Sequence, residues 1–430
     1  MTSQQTESPD TSGELQDATG VDLTSAKAVA ENTGPAFVAM AGTYCLGVFN
    51  DNFFKQAAFL LAVSLAIPQM QGYVVVFFTV PYLLLAAPAG WFADRFSKRH
   101  VVIAAKGLEV VAMLAGAAGL LLHSWPLILT MAFLMGSQSC MFSPALNGSI
   151  PELYPPEQVT PVNSILKVVT TVAILAGFAT AGVVRELGGD MALAVSVVGI
   201  SLVGLVVSLG TPRNPPADPE ANYPWTGVID TLRQLRGILD DRPLARIVGV
   251  AVFIWSLGNL QVLLLNPIGK EQFGWGDSAT SMLLATELVG VAIGGILAGK
   301  VAVGPQWYRL LGKSLIAMSV FLGLVAVLPW LAPSWRYPAL VVLLLGGGIF
   351  GGLVLVPCEA FVQVRPAGER KGAVIAAANF VIFAGILVSG FLANLLNALL
   401  LPSWSFVVVA IGAVAFGAYI HMTLGQRSEL

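Results

Sequence analysis

Charged side chains are scarce in this 430-residue sequence: 11% of positions, against 56% apolar. Soluble domains carry roughly 25% charged residues, so a water-facing surface for a chain of this length cannot be built from so few. A bilayer removes the requirement, because lipid tails solvate apolar side chains directly. Cysteine is rare as well. Cys45, Cys140 and Cys358 all stand in apolar stretches and read as small buried hydrophobes, not as a disulfide framework or a metal site. The three histidines, His100, His123 and His421, are scattered and join no cysteine cluster, so neither a metal nor another cofactor is expected. No histidine is followed by an aspartate at the His-x4-Asp spacing of acyltransferases, and no Ser/His/Asp set is evident, which excludes an enzyme reading. The net charge is −2, with no basic domain and no Lys/Arg stripe interleaved with aromatics, which excludes a nucleic-acid partner.

What the chain does have is long apolar runs. A membrane helix needs about 20 mainly apolar residues. Twelve stretches qualify, at 36–66, 73–93, 100–122, 126–148, 162–184, 190–210, 244–266, 278–299, 309–331, 338–358, 372–398 and 402–424. They are continuous and do not alternate every second residue, which excludes a membrane β-barrel. The fold class is therefore an all-α membrane protein of twelve transmembrane helices in two six-helix halves.

Lysine and arginine set the orientation. One set of loops holds Arg95, Lys98, Arg99, Arg213, Arg233, Arg236, Arg242, Arg246, Lys300, Arg309, Lys313, Arg365, Arg370 and Lys371. The other set holds Arg185, Lys270 and Arg336. The asymmetry places both termini in the cytoplasm. Residues 1–34 lack the basic-then-apolar pattern of a signal peptide and read as a disordered cytoplasmic tail. A first half follows over 35–210, a linker over 211–243 and a second half over 244–430. The linker opens on the turn-forming run Thr211-Pro212-Arg213-Asn214-Pro215-Pro216 and then turns amphipathic. Val228, Ile229, Leu232, Leu235, Ile238 and Leu239 recur at helical spacing, which predicts a helix along the inner membrane face, tethering the halves.

Polar residues inside the apolar runs are the candidates for function. The first run is interrupted by Asn50-Asp51-Asn52. A charge at mid-membrane costs about 2.5–3.5 kcal/mol on insertion scales and persists only when paired, protonated or facing a cavity. Lys55 follows Asp51 by one turn on the same face, the favourable order for an ion pair. The corresponding run of the second half carries Asn259 and Gln261 at similar depth, and Ser143-Pro144 is matched by Val356-Pro357. Interruptions at matching places of two repeats point to a transporter's central site. Glu287 near mid-run, Lys167 a turn inside its run, and Asn379 extend the candidate set. Lys106 and Glu109, three residues apart, predict a local ion pair.

Gly90-Trp91-Phe92-Ala93-Asp94-Arg95-Phe96-Ser97-Lys98-Arg99 stands between the second and third runs. It resembles the signature loop of the major facilitator superfamily, with Gly90, Asp94, Arg95, Lys98 and Arg99 in its pattern, and implies a loop that switches the protein between inward- and outward-open states. Two other matches fail. Gly294-Gly295-Ile296-Leu297-Ala298-Gly299-Lys300-Val301 lacks the Ser/Thr of a P-loop, and Gly346-Gly347-Gly348-Ile349-Phe350-Gly351 fits G-x-G-x-x-G inside an apolar run with no preceding strand. Small-residue helix packing is the expectation for both.

Taken together, Phe49-Asn50-Asp51-Asn52 with Phe54-Lys55, Pro88-Ala89-Gly90 through Asp94 and Lys98, Phe142-Ser143-Pro144-Ala145, Gly148 with Pro151-Glu152-Leu153, and Val356-Pro357 with Gln363 resemble the bacterial lysophospholipid transporter family. The resemblance implies the major facilitator fold and a flippase of the bacterial inner membrane, acting as a monomer among membrane lipids. Its ligand would be a lysophospholipid or similar amphiphile such as lysophosphatidylethanolamine, moved inward for a separate acyltransferase. Asp51 would meet the ammonium, and Lys55 or Lys167 the phosphate. The chain departs from the family at Leu146, where a Lys is usual, and at Glu359, where Asn is frequent. The competing reading is proton-coupled transport of another small amphiphile or metabolite, with Asp51 or Glu287 as the coupling group.

Overall fold

A computed structural model describes residues 34–213, 215–302, 304, 306–366 and 371–425. The polar segment before residue 34, Asn214 of the linker turn and Arg370 of the basic loops lie outside the described residues. Thirteen α-helices and no strand occur among those described. In chain order they are α1 Gly34–Ser64, α2 Gln69–Leu84, α3 Ala86–Arg95, α4 Lys98–Leu122, α5 Trp125–Leu153, α6 Pro156–Ser208, α7 Gly227–Asp240, α8 Arg242–Pro267, α9 Asp277–Val301, α10 Arg309–Leu324, α11 Pro333–Val364, α12 Lys371–Leu399 and α13 Pro402–Gly425. A π-helical turn, Ile268–Gln272, extends α8, and a 3-10 turn, Val325–Trp330, extends α10.

Nine of these helices are long and apolar enough to cross a membrane, or ten when α2 and α3, bent by 55°, are taken as one span. The bend has a covalent cause: Pro88 has no N–H to return to the carbonyl of Leu84. Helix α6 is two helices joined at Gly189, whose φ of 64° and ψ of −162° lie in a region that a side chain disfavours. The chain reverses there after 33 residues of helix without needing a loop.

Helix α1 is not among these nine, because Asn50-Asp51-Asn52, Lys55 and Gln56 make it too polar, and its surroundings accommodate that stretch. From Asn50 to Val63 every residue is buried except the half-buried Lys55, so protein and not lipid surrounds it. The interruption expected at Asn50-Asp51-Asn52 is chemical only: the helix runs through it without a break. Neither Gly nor Pro stands there, and Asn or Asp costs a helix only a fraction of a kcal/mol.

Helices within 34–208 pack mainly on one another, led by α1 on α6, α4 on α5 and α4 on α6. Helices within 242–425 do the same, led by α9 on α11 and α10 on α13. Two seams join the segments, α6 to α9 and α2 to α12. The linker helix α7 is amphipathic, as its spacing predicts. It packs on α12, α8 and α3, burying Ile238 and leaving Ile229, Leu232 and Leu239 exposed. Upstream of it, Trp91 Nε1 donates to the carbonyl of Ala221 at 2.9 Å, and the Asp218 amide donates to the carbonyl of Asp94 at 3.0 Å.

The two glycine runs that mimic nucleotide motifs lie against each other on α9 and α11. A Cβ on Gly294 would overlap the backbone of Ile349, and one on Gly348 would overlap the backbone of Glu287. Small residues let the helix axes approach so closely, as expected. Gly294→Leu is therefore expected to cost about 1–3 kcal/mol or more through overpacking. Gly299→Leu, where nothing lies within 4 Å, is expected to be tolerated. Thermal melting of the two detergent-solubilised variants checks the contrast.

Candidate functional site

A cavity of about 610 Å³ opens between α1, α2, α3, α4, α5, α7 and α12. From α1 it receives Tyr44, Gly47, Val48 and Asp51, one stripe at helical spacing. Tyr82 of α2, Ala86 and Ala87 of α3, Lys106 of α4, Gln138 to Pro144 of α5 (Met141 excepted), Thr231 of α7 and Ala376, Asn379, Phe380 and Phe383 of α12 complete it. The cavity thus runs from the middle of the helices toward the end that carries the basic loops, and α7 lies at its mouth.

Asp51 is 8% exposed. Its Oδ2 accepts from Ser139 Oγ at 2.6 Å, and its Oδ1 accepts from Gln138 Nε2 at 3.4 Å. The lysine one turn away does not pair with it. Lys55 turns to the ring of Phe78, 4.6 Å from the centroid, and does not line the cavity. Two hydroxyl and amide donors on α5 already satisfy the carboxylate, and the face of an aromatic ring accommodates the ammonium.

The flanking asparagines do not widen the polar patch. Asn50 points away from the cavity, donating to Glu109 Oε1 at 3.3 Å and to the carbonyl of Val197 at 3.1 Å. Asn52 donates to the carbonyl of Val48 one turn back at 2.7 Å. Lys106 and Glu109 form the expected pair, Nζ to Oε2 at 2.6 Å, with both side chains 1% exposed. Lys106 is more than a partner for Glu109, because it also lines the cavity wall.

The remaining candidates are dispersed. Asn379 lines the same cavity as Asp51. Lys167 does not: its side chain is 73% exposed and lies 3.7 Å from Glu359 of α11. Asn259 donates to Ser389 of α12 at 2.9 Å. Glu287 is buried in α9 and its Oε2 has no hydrogen-bond partner. In the signature loop, Lys98 pairs with Glu152 of α5. Arg99 donates to the carbonyls of Leu209 at 2.7 Å and Thr211 at 3.0 Å, the free acceptors at the end of α6. Asp94 contributes its backbone carbonyl to the linker, Gly90 has nothing within 4 Å of a notional Cβ, and Arg95 is half-buried in the last turn of α3.

Sequence reasoning missed the cross-links that seal the other end. Gln56 of α1 donates to Asn266 Oδ1 at 2.9 Å and to Ser281 Oγ at 3.0 Å. Asn266 in turn donates to Gln71 Oε1 at 3.0 Å. Farther toward that end, Arg185 bridges Asp190 and Asp277, each at 3.0 Å, and Lys270 joins Asp277. Glu186 accepts from the amide of Ser278 at 2.9 Å. Gln56 was legible as the next member of the Asn52 stripe, but its partners on α8 and α9 are set by tertiary packing alone.

The buried pair invites a stability test. Glu109→Ala would leave Lys106 charged and unpaired, a cost of about 3–5 kcal/mol. Asp230→Ala breaks the exposed Arg233 pair on α7 and is expected to cost under about 1 kcal/mol. Thermal melting of the two variants measures the difference.

A family model described as Major Facilitator Superfamily matches residues 34–390. A lysophospholipid transporter LplT of Serratia proteamaculans is 26% identical over 334 residues, covering 77% of this chain and 80% of that one. Its counterpart in Pectobacterium carotovorum subsp. carotovorum is 28% identical over 340 residues, covering 77% and 79%. Among solved structures, a bacterial homolog of the human lysosomal transporter Spinster, inward-facing and unoccupied, superposes with a TM-score of 0.70 at 14% identity, covering 91% of this chain and 96% of that one. A D-xylose–proton symporter superposes with a TM-score of 0.65 at 15% identity, covering 89% and 96%.

Proposed function

Because this chain belongs to the Major Facilitator Superfamily, we propose that it is a secondary transporter that flips lysophospholipids across the bacterial inner membrane by alternating access. The cavity carries the reading. One wall offers a hydrogen-bonded carboxylate, Asp51 with Ser139 and Gln138. Beside it lies an aromatic surface, where Phe383 stacks on Tyr82 at 4.1 Å between centroids and the Tyr82 hydroxyl meets Ser139. An amphiphile needs that division: fixed polar groups for a head group, apolar surface for one acyl chain. The relatives named lysophospholipid transporters support the choice of amphiphile.

The finer assignments belong to the same reading. Twelve spans follow if α2 and α3 count as one crossing, α6 as two and α1 as another. The domain division runs 1–34, 35–210, 211–243 and 244–430, with both termini cytoplasmic. The conformation is then inward-facing, since the end without the basic loops is the cross-linked one. Gly90, Asp94, Arg95, Lys98 and Arg99 act as the switch loop. The inward product would be re-acylated by a separate acyltransferase.

Reconstituted full-length protein should carry labelled lysophosphatidylethanolamine across vesicle membranes. Asp51→Asn should lower that rate at least about tenfold, the effect of one charge-assisted contact. Absence of transport by the unaltered protein overturns the function; a wild-type rate in the variant overturns the role of Asp51.

Glu287 supports a second reading on the same fold. A buried carboxyl with no hydrogen-bond partner is a group that binds and releases a proton as its surroundings change. In proton-coupled transport, uptake should follow an imposed pH gradient in the unaltered protein and lose that dependence in Glu287→Gln. Uptake indifferent to the gradient excludes coupling.

A further inference from the structure

We propose that Lys106 is the group that recognises the anionic part of the transported head group, a phosphodiester, and that Glu109 and Asn50 position it. The proposal rests on the lysophospholipid reading of the cavity and names a residue of that site. Lys106 is the one Lys or Arg among the described residues that line the cavity. Lys55 and Lys167, the other cations considered, are directed elsewhere.

The geometry makes the ammonium available despite its burial. Gly47 on α1 faces Lys106, and a Cβ there would fall on Nζ. The missing side chain is the notch through which the ammonium reaches the wall. An ammonium has three donors. Glu109 Oε2 takes one, and the Phe142 ring lies 5.2 Å from Nζ. No other side chain or carbonyl among the described residues accepts from it. Glu109 is itself fixed, by Asn50, which is tied in turn to the carbonyl of Val197 on α6.

A buried ion pair is weak evidence for stability, since desolvation offsets most of the attraction. A pair placed at a cavity wall therefore calls for another account. Asp51 stands four residues beyond Gly47 on the same face of α1, about 6 Å of rise at ~1.5 Å per residue. A carboxylate and an ammonium at that spacing match a phosphodiester and an amine joined by a two-carbon bridge. The cavity so lined suits a zwitterion, with the phosphate on Lys106 and the amine on Asp51.

The test uses the reconstituted full chain with labelled lysophosphatidylethanolamine and labelled lysophosphatidylglycerol, which has the phosphodiester but no amine. Lys106→Gln with Glu109→Gln removes both buried charges together. It should raise the half-saturating concentration roughly tenfold for both lipids. Lys106→Arg should restore part of the loss. Asp51→Asn should instead penalise the ethanolamine lipid more than the glycerol one. Gly47→Ala keeps both charges and displaces only the flexible end of Lys106, so it should weaken both lipids while lowering the melting temperature far less than Glu109→Ala does. It decides the matter if the double variant fails to accumulate.

A parallel binding arm separates this proposal from the transport reading. Thermal shifts are measured with a single-chain phosphodiester amphiphile and with an uncharged sugar amphiphile of equal chain length. Lys106-dependent stabilisation by the phosphodiester alone, in a protein that moves no lipid, upholds the contact and overturns the transport reading. Lipid transport with wild-type half-saturation in Gly47→Ala and in the double variant overturns the contact. Neither transport nor Lys106-dependent binding overturns both.

Discussion

Hydrocarbon offers no hydrogen bond to an unmet polar group, and each such group left in lipid costs several kcal/mol. The polar stretch 50–56 of α1 must therefore be enclosed, and every residue of it except the half-buried Lys55 is buried. Asn50 is met by Glu109 and the Val197 carbonyl, Asp51 by Ser139 and Gln138, Asn52 by its own backbone, and Gln56 by Asn266 and Ser281. Asn52 apart, each partner belongs to a helix that has to stand beside α1 to supply it. The arrangement of α4, α5, α6, α8 and α9 around α1 takes up the amide donors of Asn50 and Gln56 and the Asp51 carboxylate, while Asn50 Oδ1 and Gln56 Oε1 are buried with no partner among the described residues. The cavity is the gap left where α1 presents Gly47 and Asp51 to helices that do not close over them.

The two ends of the molecule are held together by unlike means. At the end away from the basic loops, Gly182 lets α6 press onto the backbone of Asp277, and Gly72 lets α2 press onto that of Gly390. The Arg185–Asp277 bridge lies on the first of these seams, and the Gln56–Asn266–Gln71 chain ties α1 and α2 to α8. Buried hydrogen bonds of this sort contribute about 0.5–1.5 kcal/mol each, more when charged. Toward the basic end the segments meet through the Tyr82–Phe383 stack, worth about 0.5–1.5 kcal/mol, and the exposed Lys167–Glu359 pair, worth about 0–1. The directed polar links between the segments are therefore concentrated at the first end, and a ligand that binds one arrangement better than another can shift the balance between them.

How much of this was legible in the sequence follows from which forces act locally. Span positions depend on composition over some twenty residues, so they could be read, and the helices fall close to the expected runs. The glycine runs were correctly assigned to helix packing because their apolar context excluded a loop. Asp51 stood out because charge in an apolar run is costly wherever its neighbours lie. The direction in which a side chain points was not legible. Lys55 had the ideal spacing to pair with Asp51, yet α5 supplied a better partner and α2 offered Phe78. Lys106 was paired correctly with Glu109, but its cavity role depends on a glycine 59 positions earlier in the chain. Gln138 and Ser139 carried no local signal, because an amide or hydroxyl in a helix is cheap and common.

The family resemblance left one position unexplained, Leu146, where a lysine is usual. The structure places Leu146 in a small apolar cluster with Val101, Val102, Ala105 and Phe142, buried to 1% exposure. A lysine there would bury an ammonium among apolar side chains, a cost that leucine avoids. Leu146 does not line the cavity, whereas Lys106 does, and its charge is met by Glu109. On the proposed reading the cation at this cavity is therefore supplied by α4 and not by α5, with Gly47 opening the way to it.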